Sequence, residues 1–382
     1  IFVEGTLYVL GNLTIRNCTM DLNGSYIRNS GKLIITDLDG DPSTTIDRSI
    51  VKDVSGNRSR IADVMGSLDR VRLERSLLMD LNITGGSITA SDLECRNTTI
   101  DIRFSGNSPA SLVRLDMKGT GDDGAIMMAP ESATIGSSRI SGYGIGIHLT
   151  ERTPGKIDEM EISNCTYGIL IDHLQTDDPV WIGDSSFINN SRHILSLHDT
   201  AITDSLFNGS GKVEFSREKR TDLVRNRFLG IEGVMNASGG GIIENRFHDT
   251  STALDRSIDA MIYRNDFDHC GVAVKEDSNC SIFHNSFRDN SRDAQGFVRS
   301  EWYNSTTLEG NFFKGYRGKD DGSNERRAGD GIGDTNIPHL GRDPYPLMQD
   351  DHWEMPRIPE LEIRYAFGSD TIRLDWEQAG AI

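Results

Sequence analysis

Four pairs of neighbouring aspartates are the residues of this chain best suited to acid–base chemistry. They are Asp122-Asp123, Asp177-Asp178, Asp320-Asp321 and Asp350-Asp351. Hydrolysis of a glycosidic bond needs two carboxyl groups that flank the bond, and a polysaccharide lyase needs calcium-binding acids beside a base. Asp122 and Asp123 with Lys118 come nearest to the lyase pattern, and Arg114 lies just upstream. Paired aspartates in turns more often cap the backbone or face water, so we predict no catalytic residue.

Four aspartates within a glycine-rich stretch predict a metal site. They are Asp320, Asp321, Asp330 and Asp334. Calcium binds six to eight oxygen atoms in flexible loops of this kind. The spacing is not that of an EF-hand, because Ile332 stands where the next ligand should be. Calcium is therefore the one candidate cofactor, and a loop that is merely solvated is the alternative.

Softer metal ligands show no pattern along the chain. Copper or zinc would require clustered Cys or Met, or paired His. The histidines considered, His148, His173, His193, His198 and His248, do not follow ligand spacing. The five cysteines are Cys18, Cys95, Cys165, Cys270 and Cys280, without a CxxC pair. Cys270 and Cys280 could form a disulfide, but inert burial is the preferred interpretation for most of the five.

Acceptor triplets for N-glycosylation are unusually frequent. They begin at Asn12, Asn17, Asn23, Asn57, Asn82, Asn97, Asn164, Asn189, Asn208, Asn236, Asn279 and Asn304. Twelve of 23 asparagines are thus involved, whereas the 61 Ser and Thr residues among 382 predict about four by chance. The excess indicates a chain exposed to glycosylation outside the cell. The alternative is that Asn, Ser and Thr gather in turns.

A repeating frame predicts the elements that position all these residues. The frame is an aliphatic residue, then Asn or Ser three positions later, then Phe two positions after that. Successive Phe residues are 20, 21, 19, 20, 20 and 26 positions apart, a period typical of a solenoid. Looser copies extend upstream, and short alternating runs such as Tyr167–Ile171 predict strands. We therefore predict an all-β, right-handed parallel β-helix of roughly fourteen rungs over residues 1–315.

The frame also predicts the interior of the rungs. We expect one buried column made of Phe187, Phe207, Phe228, Phe247, Phe267 and Phe287. The Asn of each frame is expected at a corner, because Asn tolerates the positive φ of a sharp turn. Stacked Asn amides can also hydrogen-bond from rung to rung.

Three motifs after the last repeat carry a family resemblance. They are Gly310-Asn311-Phe312-Phe313, the hexamer 329–334 (GDGIGD) and the run 343–348 (DPYPLM). They resemble the terminal signature of NosD-like right-handed β-helix proteins of the archaeal cell-surface type, with Phe312 and Phe313 in place of the usual Tyr-Trp. The resemblance covers residues 310–348 and implies the β-helix fold. The copper-delivery role behind the family's name is not carried over, because the histidines are scattered.

The remaining chain predicts two further segments. Residues 316–355 form a Gly/Asp-rich terminal loop, and residues 356–382 alternate in polarity around a Phe367–Asp370 turn. That second segment resembles the first hairpin of a fibronectin type III domain, which predicts the beginning of a β-sandwich. Because the sequence has no initiator Met and no signal peptide, we expect it to be a portion of a longer protein.

Charge and hydropathy limit the classes of partner that this chain is expected to bind. A net charge of -18 and the absence of a long apolar run disfavour nucleic acid and a membrane span in this segment. We expect covalent glycans, and self-association or neighbouring domains, as partners. The favoured function is an extracellular or cell-surface scaffold, structural or adhesive and non-catalytic, of the surface-layer, filament or adhesin type. The alternative is a β-helix lyase or glycoside hydrolase acting on an extracellular polysaccharide.

Overall fold

A computed structural model of the chain describes most of residues 1–350. The exceptions are residues 17, 30–31, 37–48, 53–58, 64–70, 75, 86–87, 103–109, 129–132, 151–154, 173 and 297–298; beyond residue 350 it describes 362–364 and 373–375. The regular secondary structure of the described residues is β-strand, apart from one 3-10 turn at Ser323–Glu325. Within the described residues, no helix has the length and apolar character needed to span a membrane.

The strands stack into three parallel sheets that wind around one core. We name them the Phe sheet, the leading sheet, whose strands precede those of the Phe sheet, and the trailing sheet, whose strands follow. The Phe sheet contains Thr19–Asp21, Ser49–Lys52, Ser76–Met79, Ile88–Arg96, Ala110–Met128, Arg139–Leu149, Glu161–Ser163, Ser186–Ile188, Leu206–Asn208, Arg227–Leu229, Arg246–His248, Asp266–Asp268, Ser286–Arg288 and Phe312–Phe313.

The other two sheets complete each rung, and three long strands bend from one sheet into another. The leading sheet contains Asn12–Arg16, Lys32–Thr36, Val71–Glu74, the starts of Ile88–Arg96 and Ala110–Met128, Ala133–Gly136, Gly155–Asp158, Val180–Gly183, Thr200–Thr203, Thr221–Val224, Gly241–Ile243, Met261–Tyr263, Ser278–Phe283 and Arg299–Glu301. The trailing sheet contains Thr6–Val9, Tyr26–Asn29, Ser59–Asp63, Leu81–Gly85, Thr99–Ile102, the ends of Ala110–Met128 and Arg139–Leu149, Tyr167–Ile171, Arg192–Ser196, Lys212–Phe215, Gly233–Met235, Thr252–Asp255, Val272–Lys275 and Arg292–Gln295. The predicted all-β parallel solenoid is confirmed.

The predicted phenylalanine column is present in the interior. Rings from Phe187 to Phe313 stack nearly parallel on successive rungs, with centroids 4.7–5.1 Å apart. All of these rings are buried. Strand spacing in a sheet is about 4.8 Å, so each ring lies directly over the next, and the ring stack and the backbone ladder share one repeat. Trp302 packs beside Phe287 and Phe313 where the repeats end.

The frame asparagines form the predicted amide ladder, but not for the predicted backbone reason. Positive φ is found one residue earlier, as at Arg225 (55°) and Glu244 (57°), and not at Asn226 or Asn245. The asparagine is buried instead, and its side chain turns inward. There Asn226 Nδ2 donates to Asn245 Oδ1 at 3.1 Å and also to the carbonyl of Ile202 at 2.8 Å.

Two short strands lie in the C-terminal segment. Glu362–Arg364 and Arg373–Asp375 pair antiparallel, with Glu362 opposite Asp375. This pairing has the form of a hairpin, and the proposed fibronectin type III domain around it stays a prediction.

Candidate metal centre and terminal carboxylates

Two consecutive turns place two histidines and an aspartate side by side. In the rungs from Glu161–Ser163 to Ser286–Arg288 the residue after the Phe-sheet strand adopts a left-handed conformation. One rung presents His248 and Asp249 as the last strand residue and the left-handed residue, and the following rung presents Asp268 and His269. The strand register pairs His248 with Asp268, and the two left-handed residues have φ of 53° and 54°. The histidine of each rung therefore lies beside an aspartate of the other.

The Asp268 carboxylate lies between the two imidazoles. Its Oδ2 is 3.1 Å from His248 Nδ1, and its Oδ1 is 2.8 Å from His269 Nδ1. The ring centroids of the two histidines are 5.6 Å apart. Three candidate ligand atoms thus lie within 4.8 Å of one another. In the part of the chain that the structure describes, this is the one such group of three or more acids, histidines or cysteines.

The surroundings favour an ionised carboxylate. The side chain of Asp268 is 15% exposed, against 35% for His248 and 54% for His269. Burial acts to raise the pKa of Asp268, but the hydrogen bond from His269 and the charges of His269, Arg288 and His248 outweigh it and hold that pKa below its ordinary value. The group is consequently a carboxylate with a nitrogen atom beside each oxygen.

A second carboxylate lies on the other side of the His248 ring. His248 Nε2 lies 3.3 Å from Asp249 Oδ2. Histidines that bind metals commonly donate their free N–H to a carboxylate, which fixes the ring orientation. The geometry thus provides two imidazole nitrogens and one carboxylate, a donor set suited to borderline divalent metals, with the Asp249 carboxylate near the far nitrogen of His248.

The other histidines considered from the sequence are dispersed in the described structure. His148 pairs with Asp172 at 2.7 Å, and His193 and His198 are buried. Burial lowers the pKa of His193 to about 4. His173 lies outside the described residues. His248 is not isolated as its linear spacing suggests, because His269, 21 positions later, falls on the next rung beside it.

The terminal-loop aspartates are used mainly to hold the loop's own backbone. Asp320 accepts hydrogen bonds from the N–H groups of Gly329 and Gly331, and Asp321 accepts from Ser323. Asp330 accepts from the N–H of Ile332, and Asp334 from that of Gly322. All four are described residues, and no three of them gather within 4.8 Å. The calcium site at Asp320, Asp321, Asp330 and Asp334 stays a prediction.

The candidate acid–base pairs are dispersed. Asp122 and Asp123 are exposed where the strand Ala110–Met128 shifts register between Lys118 and Gly124. Lys118 pairs with Asp116 at 3.2 Å, and Arg114 with Asp92 at 2.6 Å.

The other pairs lie elsewhere on the surface. Asp177 and Asp178 are exposed. Asp350 accepts from Ser286 Oγ at 3.1 Å, and Asp351 lies outside the described residues.

The glycosylation triplets divide by exposure. Asn12, Asn23, Asn164, Asn189, Asn208 and Asn279 are exposed, Asn82, Asn97, Asn236 and Asn304 are partly buried, and Asn17 and Asn57 lie outside the described residues. Asn23, Asn97, Asn164, Asn189, Asn236 and Asn279 have φ of 42–61°. Left-handed turn positions favour Asn, so turn chemistry accounts for part of the excess.

The model of the family described as "Periplasmic copper-binding protein (NosD)" matches residues 79–318. No curated protein matches the chain significantly.

The residues present fit a divalent ion better than a cuprous one. All five cysteines are free thiols. Burial, first among several causes, raises the pKa of Cys95 and of Cys280 to about 12 and that of Cys270 to about 11. Such thiols do not supply the thiolates that Cu⁺ prefers. The imidazole and carboxylate donors around Asp268 match the preferences of Cu²⁺ or Zn²⁺ instead.

Proposed function

This chain belongs to the NosD family, described as periplasmic copper-binding proteins, and from that membership and its solenoid we propose a non-catalytic scaffold outside the cytoplasm. In this proposal the chain is a stiff extracellular or cell-surface rod with a structural or adhesive role. It carries N-linked glycans and is continued or capped by neighbouring domains or further copies. Rungs about 4.8 Å apart give a rod whose faces are continuous surfaces for attachment.

The observation that carries the proposal is the use of outward charges to join rungs. Ion pairs link adjacent rungs in Arg114–Asp92, Arg139–Glu161, Arg225–Asp204, Arg288–Asp266 and Lys314–Asp289. Each exposed pair contributes only about 0–1 kcal/mol, but each constrains one rung against the next. The acids in these pairs are already partnered across rungs, an arrangement that suits a rod better than a catalytic groove.

Exposed glycosylation triplets support the extracellular part of the proposal. Asn164, Asn189 and Asn208 are exposed near the same edge of the rod, each within two residues of a Phe-sheet strand end. Glycans at these positions would project along one edge and obstruct a polysaccharide groove there. By contrast, Asn97 is partly buried and donates to Asp80 at 3.2 Å, so its amide nitrogen is less available.

Two assays test the scaffold. The purified full chain is incubated with uronic-acid polymers and neutral polysaccharides in the presence of calcium, and unsaturated products and reducing ends are measured. We expect neither to form. Turnover that disappears in Asp122→Asn or Asp123→Asn, but persists in the exposed control Asp177→Asn, would establish the lyase instead.

The native protein is also analysed by glycopeptide mass spectrometry and surface proteolysis of intact cells. We expect modification at Asn164, Asn189 or Asn208 in preference to Asn97, and cleavage from outside the cell. Unmodified asparagines together with protection from external protease would contradict the extracellular assignment.

A further inference from the structure

We propose that His248, Asp268 and His269 form a binding site for one divalent transition-metal ion on the side of the rod. This inference is independent of the scaffold role, because a rod can bear the site whether or not it is adhesive. Copper binding is the property for which the family is described, and the residues assigned here belong to this chain. Their side chains lie together on two adjacent rungs.

The spacing of the donor atoms suits a shared ion. Nitrogen and oxygen ligands lie about 2.0–2.2 Å from a metal such as zinc. Two such ligands at right angles around one ion are therefore about 3 Å apart. The two nitrogen–oxygen separations at Asp268 are 3.1 and 2.8 Å. Each separation involves a different oxygen of Asp268, and the three ligand atoms all lie within 4.8 Å of one another, so one ion bound by all three side chains would take the place of both hydrogen bonds.

Proton positions on the imidazoles are also compatible with binding. A neutral imidazole carries one proton, and binding through Nδ1 requires that proton to be on Nε2. For His248, Asp249 Oδ2 lies 3.3 Å from Nε2, within ion-pair distance, so its negative charge favours a proton at that position. His269 is 54% exposed, so its Nε2–H can donate to water. Binding through both Nδ1 atoms thus requires that neither Nδ1 carries a proton.

The rungs hold the ligands in position without the ion. His248 and Asp268 each follow a buried ring of the phenylalanine column, Phe247 and Phe267. Backbone hydrogen bonds join the two turns, including Asp249 N–H to the carbonyl of Asp268 at 3.2 Å. A site that is already ordered loses little entropy on binding. The three protein ligands would leave further coordination positions open to water.

One nearby cation opposes binding but is partnered elsewhere. Arg288 follows Asp268 on the next rung. Its guanidinium is directed to Asp266, with Nη2 2.6 Å from Oδ2. The donor set, two imidazoles and a carboxylate, selects Cu²⁺ or Zn²⁺ over Ca²⁺ and Mg²⁺, which prefer oxygen ligands.

The chain contains a matched control for nonspecific histidine binding. His284 also has a left-handed backbone, with φ of 56°, and pairs with Glu309 at 2.9 Å. Among the described residues, no third ligand joins that pair within 4.8 Å. Substitution by Asn suits both histidines, because Asn tolerates left-handed φ. His269→Asn and His284→Asn therefore change the backbone equally little and differ in whether the proposed site is affected.

The experiment is titration of the metal-free full chain with Cu²⁺ and, separately, Zn²⁺ by calorimetry, with paramagnetic resonance of the copper form. We expect one ion per chain and resonance coupling to two imidazole nitrogens. His269→Asn and Asp268→Asn should weaken binding by at least about tenfold, and Asp249→Asn by about tenfold or more. His284→Asn should bind as the wild type does, and thermal unfolding should show that all variants fold.

Four outcomes of these titrations would overturn the proposed site. The site is wrong if no saturable binding occurs, if His269→Asn binds as tightly as the wild type, or if His284→Asn weakens binding as much as His269→Asn. Copper coupling to one nitrogen alone would also overturn it.

Discussion

Asn311 donates both its backbone N–H and its side-chain amide to one carboxylate oxygen of Asp343. The distances to Asp343 Oδ2 are 2.8 and 3.1 Å. The amide ladder that runs through the frame asparagines therefore ends on a buried acid from the terminal loop. A Cβ at position 310 would collide with this carboxylate, so Gly310 provides the space for it. The terminal loop thus closes the polar ladder as Trp302 closes the ring stack.

We predict that removal of this acid destabilises the last rungs. Asp343→Ala leaves the buried backbone N–H of Asn311 without its acceptor, which costs about 1–3 kcal/mol for an unsatisfied buried group. The side-chain amide of Asn311 keeps the carbonyls of Ile282 and Trp302 as acceptors. The control is Asp330→Ala in the same loop, whose carboxylate accepts one exposed N–H from Ile332. Urea unfolding should show a clear loss for Asp343→Ala and a smaller one for the control. Equal losses would mean that Asp343 has no special role at the ladder's end.

Within the ladder we predict that Ser replaces Asn better than Ala does. Asn245 Oδ1 accepts from the backbone N–H and the side-chain amide of Asn226, at 2.9 and 3.1 Å. Two rungs upstream, Ser205 Oγ accepts from the Ser185 N–H at 3.2 Å in the same way. Asn245→Ala should therefore cost about 1–3 kcal/mol, and Asn245→Ser distinctly less. If the two variants unfold at the same urea concentration, the hydrogen bonds that residue 245 accepts from Asn226 do not stabilise the rod.

The repeat period made the solenoid and its phenylalanine column predictable, because a fixed spacing near twenty residues repeats the same side-chain direction on every rung. The frame asparagines show which part of the structure the repeat does not predict, namely the backbone conformation at each corner. Sequence spacing placed Asn226 in the ladder, but only coordinates show that Arg225 has the positive φ. The turn needs one left-handed residue, and the inward amide needs an ordinary backbone at the next position.

The candidate metal centre follows from the repeat period when histidines are compared by their position within a rung, and not from their linear spacing. The sequences Phe247-His248-Asp249 and Phe267-Asp268-His269 invert one another at equivalent positions, which predicts His beside Asp on adjacent rungs. The terminal loop has no repeat from which neighbouring residues could be predicted. Asn311 and Asp343 are 32 residues apart in a stretch without a period, so their contact depends on a chain path that composition does not define.

For the terminal loop we predict calcium-dependent stabilisation. Asp334 is fully buried, and its Oδ1 has no hydrogen-bond partner in the described part of the chain. A bound cation would give this oxygen atom a partner. Calcium at one hundred times its dissociation constant would stabilise the folded chain by about 2.7 kcal/mol. The melting temperature should rise with calcium but not in Asp334→Asn, while Asp122→Asn responds as the wild type does. An unchanged melting temperature in the wild type would rule out the site.

Phe247→Ala tests the buried column. Its ring is fully buried between those of Phe228 and Phe267, with centroids 4.7 and 5.1 Å away. Loss of such a ring leaves a cavity and should cost about 3–5 kcal/mol. Phe283→Ala is the control, because Phe283 is only partly buried beside Tyr263. A loss below about 1 kcal/mol for Phe247→Ala would contradict its buried position.

The last prediction concerns pH and the buried acid Asp277. Its Oδ1 accepts from the Ser257 N–H at 2.8 Å, and its Oδ2 has no partner in the described residues. Burial, opposed by the Ser257 hydrogen bonds and reinforced by the charge of Asp255, raises the pKa of Asp277 from 3.8 to about 8. Between these values the folded chain holds a proton that the unfolded chain has released. The resulting stability is complete below the unfolded pKa and is lost as pH rises towards the folded one, by up to about 1.4 kcal/mol per pH unit.

Asp277→Asn preserves the shape of the neutral side chain, including the acceptor for Ser257, and cannot ionise. Urea unfolding between pH 5 and pH 9 should therefore show a smaller loss of stability with rising pH in Asp277→Asn than in the wild type. The exposed control Asp177→Asn should retain the wild-type slope. Because other groups titrate equally in all three proteins, the difference between slopes isolates Asp277. Parallel curves for wild type and Asp277→Asn would show that this carboxyl group ionises in the folded rod as readily as in the unfolded chain.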